Sequence, residues 1–587
     1  MQKRSMCAAA TAVVPPRMAQ AASLSLVELP HSCLLRVLQC CAADDQRSLF
    51  SAARAHSRLH QLAVEALQRV TAQVSQQQQL HGVMAYLGQH GQDVDTLDLT
   101  GCWSEEGDRV LKVSLRQLPP QMQLSSLQFD KLRLQLQPEN GAQGVLGSAA
   151  APTAAVKQLR LRCCEVIDDW AALLPQLPAG LEHLSIVDLM GASWNFIFVP
   201  TGMLQQLQHL TYLELGSIQT VGPDEARRGL QALQSLTQLV DFRLFNIMGT
   251  VTPSLLSGMQ HLTRLHLSEK LWVKPGALAG RTQLQHLRVS ECHLWGAAGV
   301  AQLLSNLQPM QQLLNLTLSR CLLADHEGNA FPASAYAALT ASSKLQHLDI
   351  SHCRLLPGVW QHLFPTGRQL SNLRSLNVSG VLQASDGAAS LYHPAPEGSS
   401  LVSCCPGLQS LKMWSLQCSA ELLAPLTGLS GLHTLECELG DATADVVQAV
   451  CRLTGLRELT VQGNGPMQQG GSLLHLTQLQ QLTRLGYQGA GMPSNNINLS
   501  GEAVLHNRWV VSLLVYHIRW LLPQQCLQPT ALGWLCALLQ HVPYFSFQTR
   551  VHCYCHGSQG PLCAESHQVP GMYATQTAVV CMLQSLG

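Results

Sequence analysis

Charge is what this chain has least of. Asp, Glu, Lys and Arg make up 12% of 587 residues, about half the roughly 25% of an average soluble domain. The 36 basic and 36 acidic side chains cancel, so no global field draws the protein to nucleic acid or an anionic bilayer, and neither is expected as a partner. Long apolar runs are also missing. The most apolar stretch, Val510 to Leu522, contains His517 and Arg519 and is too short and too polar to cross roughly 30 Å of hydrocarbon. No membrane span is expected. No Gly-Lys pair occurs, which removes a P-loop, whose lysine must reach the phosphates. His326-Glu327 lacks a second His at the zinc-protease spacing and no Gly-x-Ser-x-Gly elbow exists, so no catalytic residues and no cofactor are assigned.

Cysteine is present without being dense. The 21 cysteines are about 3.6% of the chain, against roughly 8–10% in a disulfide scaffold. Their odd number points to reduced thiols in a cytosol-like compartment. His552-Cys553-Tyr554-Cys555-His556, with Cys563 and His567 downstream, offers zinc-type ligands, but the Cys-x-Cys gap is tighter than the usual zinc pair, and no metal is assigned. Residues 1–25 are expected to be a disordered Ala-rich terminus, with an organellar transit peptide as the alternative. The 47% of apolar residues suffices for a large interior and excludes disorder over most of the chain.

The organising feature is a phrase, apolar-x-x-apolar-x-apolar. Clear copies include Leu210-Thr-Tyr-Leu213-Glu-Leu215, Leu239-Val-Asp-Phe242-Arg-Leu244, Leu262-Thr-Arg-Leu265-His-Leu267 and Leu284-Gln-His-Leu287-Arg-Val289. Fifteen copies start between Val94 and Leu482, a mean spacing of about 28 residues, within the 20–29 range of one strand-plus-helix repeat. The period of two inside each phrase predicts a short strand with alternate side chains buried. Stretches such as 299–312 and 445–455 repeat their apolar residues at three and four, which predicts helices between the strands. Stacked, the units share one core. Gly-, Pro- and Ser-rich insertions at 137–153 and 384–400 read as surface loops.

These phrases resemble the leucine-rich repeat superfamily over residues 91–490. Cys102, Cys164, Cys292, Cys321 and Cys353, each close behind a phrase, resemble the cysteine-containing and ribonuclease-inhibitor-like subtypes, in which the residue turns inward as a structural thiol. The resemblance implies an α/β solenoid, a curved horseshoe with parallel strands on its concave face and helices on its convex face. Ahead of the repeats, Leu29-Pro30, the stripe Leu34, Leu35, Val37 and Leu38, Asp44-Asp45 and a closing Arg54 to Leu62 segment are similar to an F-box over residues 26–66. Residues 67–90, with a Gln tract, are expected to be a helical linker. Residues 491–587 are read as a C-terminal cap and irregular tail, with amphipathic helices sealing the end.

The F-box resemblance implies docking of Leu29, Pro30, Leu35, Leu38 and Leu49 on the Skp-type adaptor of a cullin ubiquitin ligase. The chain itself is then a non-enzymatic receptor for an unknown protein substrate. A cytoskeletal or ciliary scaffold, with residues 26–66 as a plain cap, stays open as the alternative. The expected compartment is the cytoplasm, with the nucleus or axoneme open. Outward residues of the phrases form a polar ladder. Aromatics and arginines dominate protein interfaces, so Tyr212, Arg243, Phe245, Arg264, Arg288 and Trp414 are the candidate partner-binding residues of the concave face.

Overall fold

The structure is a computed structural model that describes residues 32–35, 37–38, 56–66, 68–102, 111–114, 118, 122–135, 155–166, 177–191, 206–217, 230, 233–247, 249–294, 296–324, 332–383, 392–439, 444–463, 475–489 and 495–498. The chain forms two compact units, Met1–Leu416 and Gln417–Gly587.

In the first unit the strands Arg69–Val74, Thr96–Gly101, Ser126–Asp130, Gln158–Arg162, His183–Val187, Tyr212–Gly216, Asp241–Phe245, Arg264–Ser268, His286–Ser290, Asn315–Ser319, His347–Asp349, Ser375–Asn377 and Ser410–Gln417 pair in chain order. Every pairing is parallel. Twelve of these fall on the predicted phrases, and alternation does what it must: Leu213, Leu215, Phe242, Leu244, Leu265, Leu267, Leu287 and Val289 are all buried, each adding about 1.5–3 kcal/mol of burial for a large apolar side chain. This is an α/β leucine-rich repeat solenoid.

Backbone hydrogen bonds pin the register at both ends of a rung. At entry one carbonyl accepts two successive amides of the next rung. Val240 O takes the N–H groups of Thr263 and Arg264, Thr263 O those of Gln285 and His286, and Gln285 O those of Leu314 and Asn315. At exit a residue in the left-handed region donates onward. Asp188, Ser217, Asn246, Glu269, Glu291 and Arg320 have φ between 48° and 55°, and their N–H groups reach the carbonyls of Gly216, Phe245, Ser268, Ser290, Ser319 and Ser351. That backbone costs a non-glycine residue roughly 1–2 kcal/mol, and the ladder bond holds it there. The bend feeds a second row of short parallel strands, including Lys112–Ser114, Arg133–Gln135, Glu165–Val166 and Met190–Gly191.

Helix content behind the sheet differs from repeat to repeat. The 29 residues from Leu284 to Leu313 hold the helix Gly296–Leu307, whereas the 23 from Leu239 to Leu262 hold only Pro253–Ser257, started by the Thr252 side chain accepting the Leu255 N–H. Both stretches whose three-four spacing predicts a helix, 299–312 and 445–455, coincide with one, Gly296–Leu307 and Ala444–Cys451. The insertion at 384–400 is not wholly loop, since Gly398–Cys404 is helical; residues 137–153 lie outside the described residues.

Residues 67–90 depart from the expected linker. They open with the strand Arg69–Val74, in register with Thr96–Gly101, and only then form the helix Gln77–His90. The ladder thus starts one rung earlier, on Val70 and Val74. Residues 32–35 and 37–38 are helical, as is Ser57–Ala66. Leu34, Leu38, Leu59, Leu62 and Ala63 are buried.

Of the five phrase-end cysteines, Cys164, Cys292, Cys321 and Cys353 turn inward, while Cys102 is half-buried. Cys164 Sγ donates to Phe129 O (3.4 Å) and Cys321 Sγ to Val289 O (3.4 Å), and Cys353 Sγ donates to Leu318 O. Burial pushes the Cys164 and Cys321 thiols up to about 12, so at neutral pH they are packing groups that close gaps between rungs.

In the second unit, Thr434–Glu438, Glu458–Gly463 and Arg484–Gly489 continue the parallel pattern among themselves. Asn495–Asn498 then pairs antiparallel with Arg484–Gly489, and the helix Ala444–Cys451 buries Val447 and Val450. The helices expected to seal the far end, and His552 to His567, lie outside the described residues.

Two stability experiments follow. Gly380 occupies the left-handed bend with φ 64°, and an added Cβ would meet His352 Nδ1 at 2.3 Å. Gly380→Ala is expected to lower the unfolding free energy by about 1–2 kcal/mol in urea titrations, whereas Lys131→Gly at the equivalent bend should be neutral or stabilising. In the second strand row Arg133 holds Glu165 with two bonds, Nε–Oε2 2.8 Å and NH2–Oε1 3.0 Å, and Glu165 is 1% exposed. Arg133→Ala, which strands that carboxylate, is expected to cost about 3 kcal/mol, and Arg133→Ala/Glu165→Leu to recover most of it.

Candidate binding face

The register sorts the outward side chains into columns. Tyr212, Asp241, Arg264, His286, Asn315 and His347 share one. Glu214, Arg243, His266, Arg288, Thr317 and Asp349 share the next. Phe245, Ser268, Ser290 and Ser319 follow in a third. All six sequence-derived partner residues point outward. Five of them, Tyr212, Arg243, Phe245, Arg264 and Arg288, gather on four adjacent rungs. Trp414 does not join them, since it sits four rungs beyond the Arg288 strand, roughly 19 Å along the sheet at about 4.8 Å per rung.

The gathered residues are not equivalent. Arg243 is locked: its Nε and NH2 donate to Asp241 Oδ1 and Oδ2, both at 3.0 Å, and its guanidinium lies 5.1 Å from the Tyr212 ring centroid. Those bonds raise the Arg243 pKa further above neutrality. Glu214 lies 3.9 Å from Arg243 and accepts the Ser185 hydroxyl at 2.6 Å. Tyr212, stacked on His183 at 5.5 Å, is half-buried, and burial followed by the Glu214 charge pushes its phenol up to about 12. It therefore stays a neutral hydroxyl. Phe245 lies across the previous rung, where Gly216 makes room: a Cβ there would come within 2.2 Å of the Phe245 ring.

Arg264 and Arg288 are the open cations. The Arg264 side chain is 57% exposed, with Asp241 at 3.9 Å, an acid already taken by Arg243. Arg288 is exposed, and its Nε donates to Ser290 Oγ at 3.3 Å. Between them lie His266 and His286. Burial, then Arg288 and Arg243, lower His266 to about 4; burial, then Arg264, lower His286. Both are neutral at physiological pH. His266 stacks near Phe245, with centroids 6.5 Å apart, and its Nε2 has no hydrogen-bond partner among the described residues.

Sequence reasoning missed the organising role of Asp241, which is buried although it belongs to the outward column. The signal was present, because Asp-x-Arg within a strand puts both side chains on one face. Of the proposed adaptor contacts, Leu29, Pro30 and Leu49 lie outside the described residues. Leu35 is half-buried. Leu38, at 2% exposure, packs inward with Leu34, and the outward apolar residue of that turn is Val37 at 42%. Among the described residues no His, Cys, Asp and Glu cluster could hold a metal ion, and no helix is long and apolar enough to cross a membrane.

Neither a protein-family profile nor a curated protein sequence matches the chain. Solved structures do. A leucine-rich repeat protein of Leptospira interrogans is 17% identical, with 73% of this chain and 91% of that one covered and a TM-score of 0.45. An internalin of Listeria monocytogenes is 15% identical over 58% and 88%, TM-score 0.37. The leucine-rich repeat ectodomain of an Arabidopsis thaliana membrane receptor kinase, solved with Casparian strip integrity factor 2, is 15% identical over 71% and 46%, TM-score 0.39. The repeat architecture stands on the strand register itself.

The neutral histidine gives a pH signature. An unfolded His titrates near 6.5 and His266 only near 4, so between those values the unfolded chain binds the extra proton. Stability is then full above about pH 6.5 and falls as pH drops toward 4. Comparing wild type with His266→Gln by urea denaturation, the gap between their unfolding free energies should narrow on acidification through that window. A constant gap would refute it.

Proposed function

We propose that the chain is a non-enzymatic protein-recognition module that captures its partner on the outward face of the sheet around the Tyr212–Gly216 to Asn315–Ser319 strands. The observation carrying this reading is the arrangement of that face: rigid aromatic and guanidinium groups, held by Asp241, Glu214 and Gly216, beside open cations on a surface that the rest of the described repeat leaves uncovered. Rigid aromatic and arginine anchors are the groups that hold protein interfaces.

The finer reading is a substrate receptor for a Skp–cullin–F-box ubiquitin ligase, in which residues 26–66 bind the adaptor and the face presents a protein for modification by partner enzymes. Its support is the F-box-like pattern from Leu29 to Leu62 together with helical structure at 32–35, 37–38 and Ser57–Ala66. Leu34 and Leu38 serve that domain's interior, and Leu35 with Val37 faces the adaptor. Holding target lysines close to the conjugating enzyme would be the receptor's contribution, through effective concentration.

Co-purification with a Skp-type adaptor is expected for the wild type and lost in Leu35→Asp. An unbound wild type, or a variant that binds equally, removes the ligase reading. Independently, a photo-crosslinking residue at Thr317 should give protein adducts that the same group at Gln302, on the helical side, does not; equal adducts from both would remove the capture face.

A further inference from the structure

The strands Arg264–Ser268, His286–Ser290 and Asn315–Ser319 carry no Asp or Glu. Register sets Arg264 beside His286 and His266 beside Arg288. Four side chains thus form a square, with arginines on one diagonal and histidines on the other. With about 4.8 Å between rungs and about 6.6 Å between alternate residues of a strand, the arginine Cα atoms are roughly 8 Å apart. The acids at its borders are engaged: Asp241 by Arg243, and Asp349 by the Ser351 N–H at 2.9 Å.

We infer that the Arg264–His266–His286–Arg288 square docks an acidic, extended protein segment, with two carboxylates answering the two arginines. The inference rests on the capture-face reading and adds the chemistry of the partner. Alternate side chains of an extended chain stand about 6.6–7 Å apart on one face, so a Glu-x-Glu or Asp-x-Asp pair matches the arginine diagonal. The histidines fill the other diagonal without adding charge, and the His266 Nε2 is itself buried, so the two guanidiniums carry the recognition. Each guanidinium offers a planar fork suited to a carboxylate. A nucleic-acid strand needs a continuous basic track, whereas Asp241 and Asp349 interrupt this one on both sides.

The test is fluorescence anisotropy of the full chain with labelled Glu-rich, Lys-rich and Gly/Ser peptides and with labelled oligouridine. The Glu-rich peptide is expected to bind in preference to the others. Its affinity should weaken as salt rises from about 0.1 M to about 1 M, where the screening length shrinks from about 10 to about 3 Å. Arg264→Gln/Arg288→Gln should lose about tenfold or more in affinity, roughly 1.4 kcal/mol, with circular dichroism unchanged, while Asn377→Ala binds as wild type does. No binding of the acidic peptide, no loss in the double variant, or tighter binding of oligouridine overturns the inference. If Thr317 adducts persist while the acidic peptide fails, the capture face survives and only its acidic partner falls. If both fail, both fall.

Discussion

Everything outward in the first unit depends on a backbone device repeated on the rungs from Ser126–Asp130 to Ser375–Asn377: one carbonyl accepting two amides where the strand begins, and one left-handed residue donating its amide where the strand ends. Between these clamps about five residues alternate, so sheet geometry fixes which side chains face the core. A slip of one residue would bury Arg264 and expose Leu265. The clamps use main-chain atoms, so the bends hold Lys131, Asp188, Glu269 or Arg320 in place despite a left-handed cost that Gly380 avoids.

That arrangement separates scaffold from surface. Leucines hold the inward positions and cysteine sulfurs close the gaps between rungs, while the outward positions vary freely from one rung to the next. On the Tyr212–Gly216 and Asp241–Phe245 strands the variation builds a closed network in which Ser185, Glu214, Asp241, Arg243 and Tyr212 satisfy one another. On the next strands charge is left open. The contrast is local, and a chain with zero formal net charge conceals it from any composition-level argument.

The solenoid was legible because burial on a strand repeats every second residue, and Leu-x-Leu announces it. The Arg69–Val74 rung escaped because Ala72 replaces the central leucine and a Gln tract follows, so only Val70 and Val74 mark the inner side. The helices Gly296–Leu307 and Ala444–Cys451 were legible from their apolar three-four spacing, whereas a five-residue helix such as Pro253–Ser257 is too short to show such a period. The outward residues were correctly placed, but sequence could not divide locked Arg243 from open Arg264. That division depends on which guanidinium the single carboxylate of Asp241 faces across the sheet. Leu38 shows the same limit, as an apolar residue in a docking motif reads identically whether it meets a neighbour in its own domain or another protein.

The position of Trp414 has a metrical consequence. Because rungs are added or removed whole, its separation from the Arg264–Arg288 group can change only in steps of about 4.8 Å, never continuously. Such a surface works as a graduated ruler: two distant anchors select a ligand by the number of repeats between them as much as by the identity of either side chain.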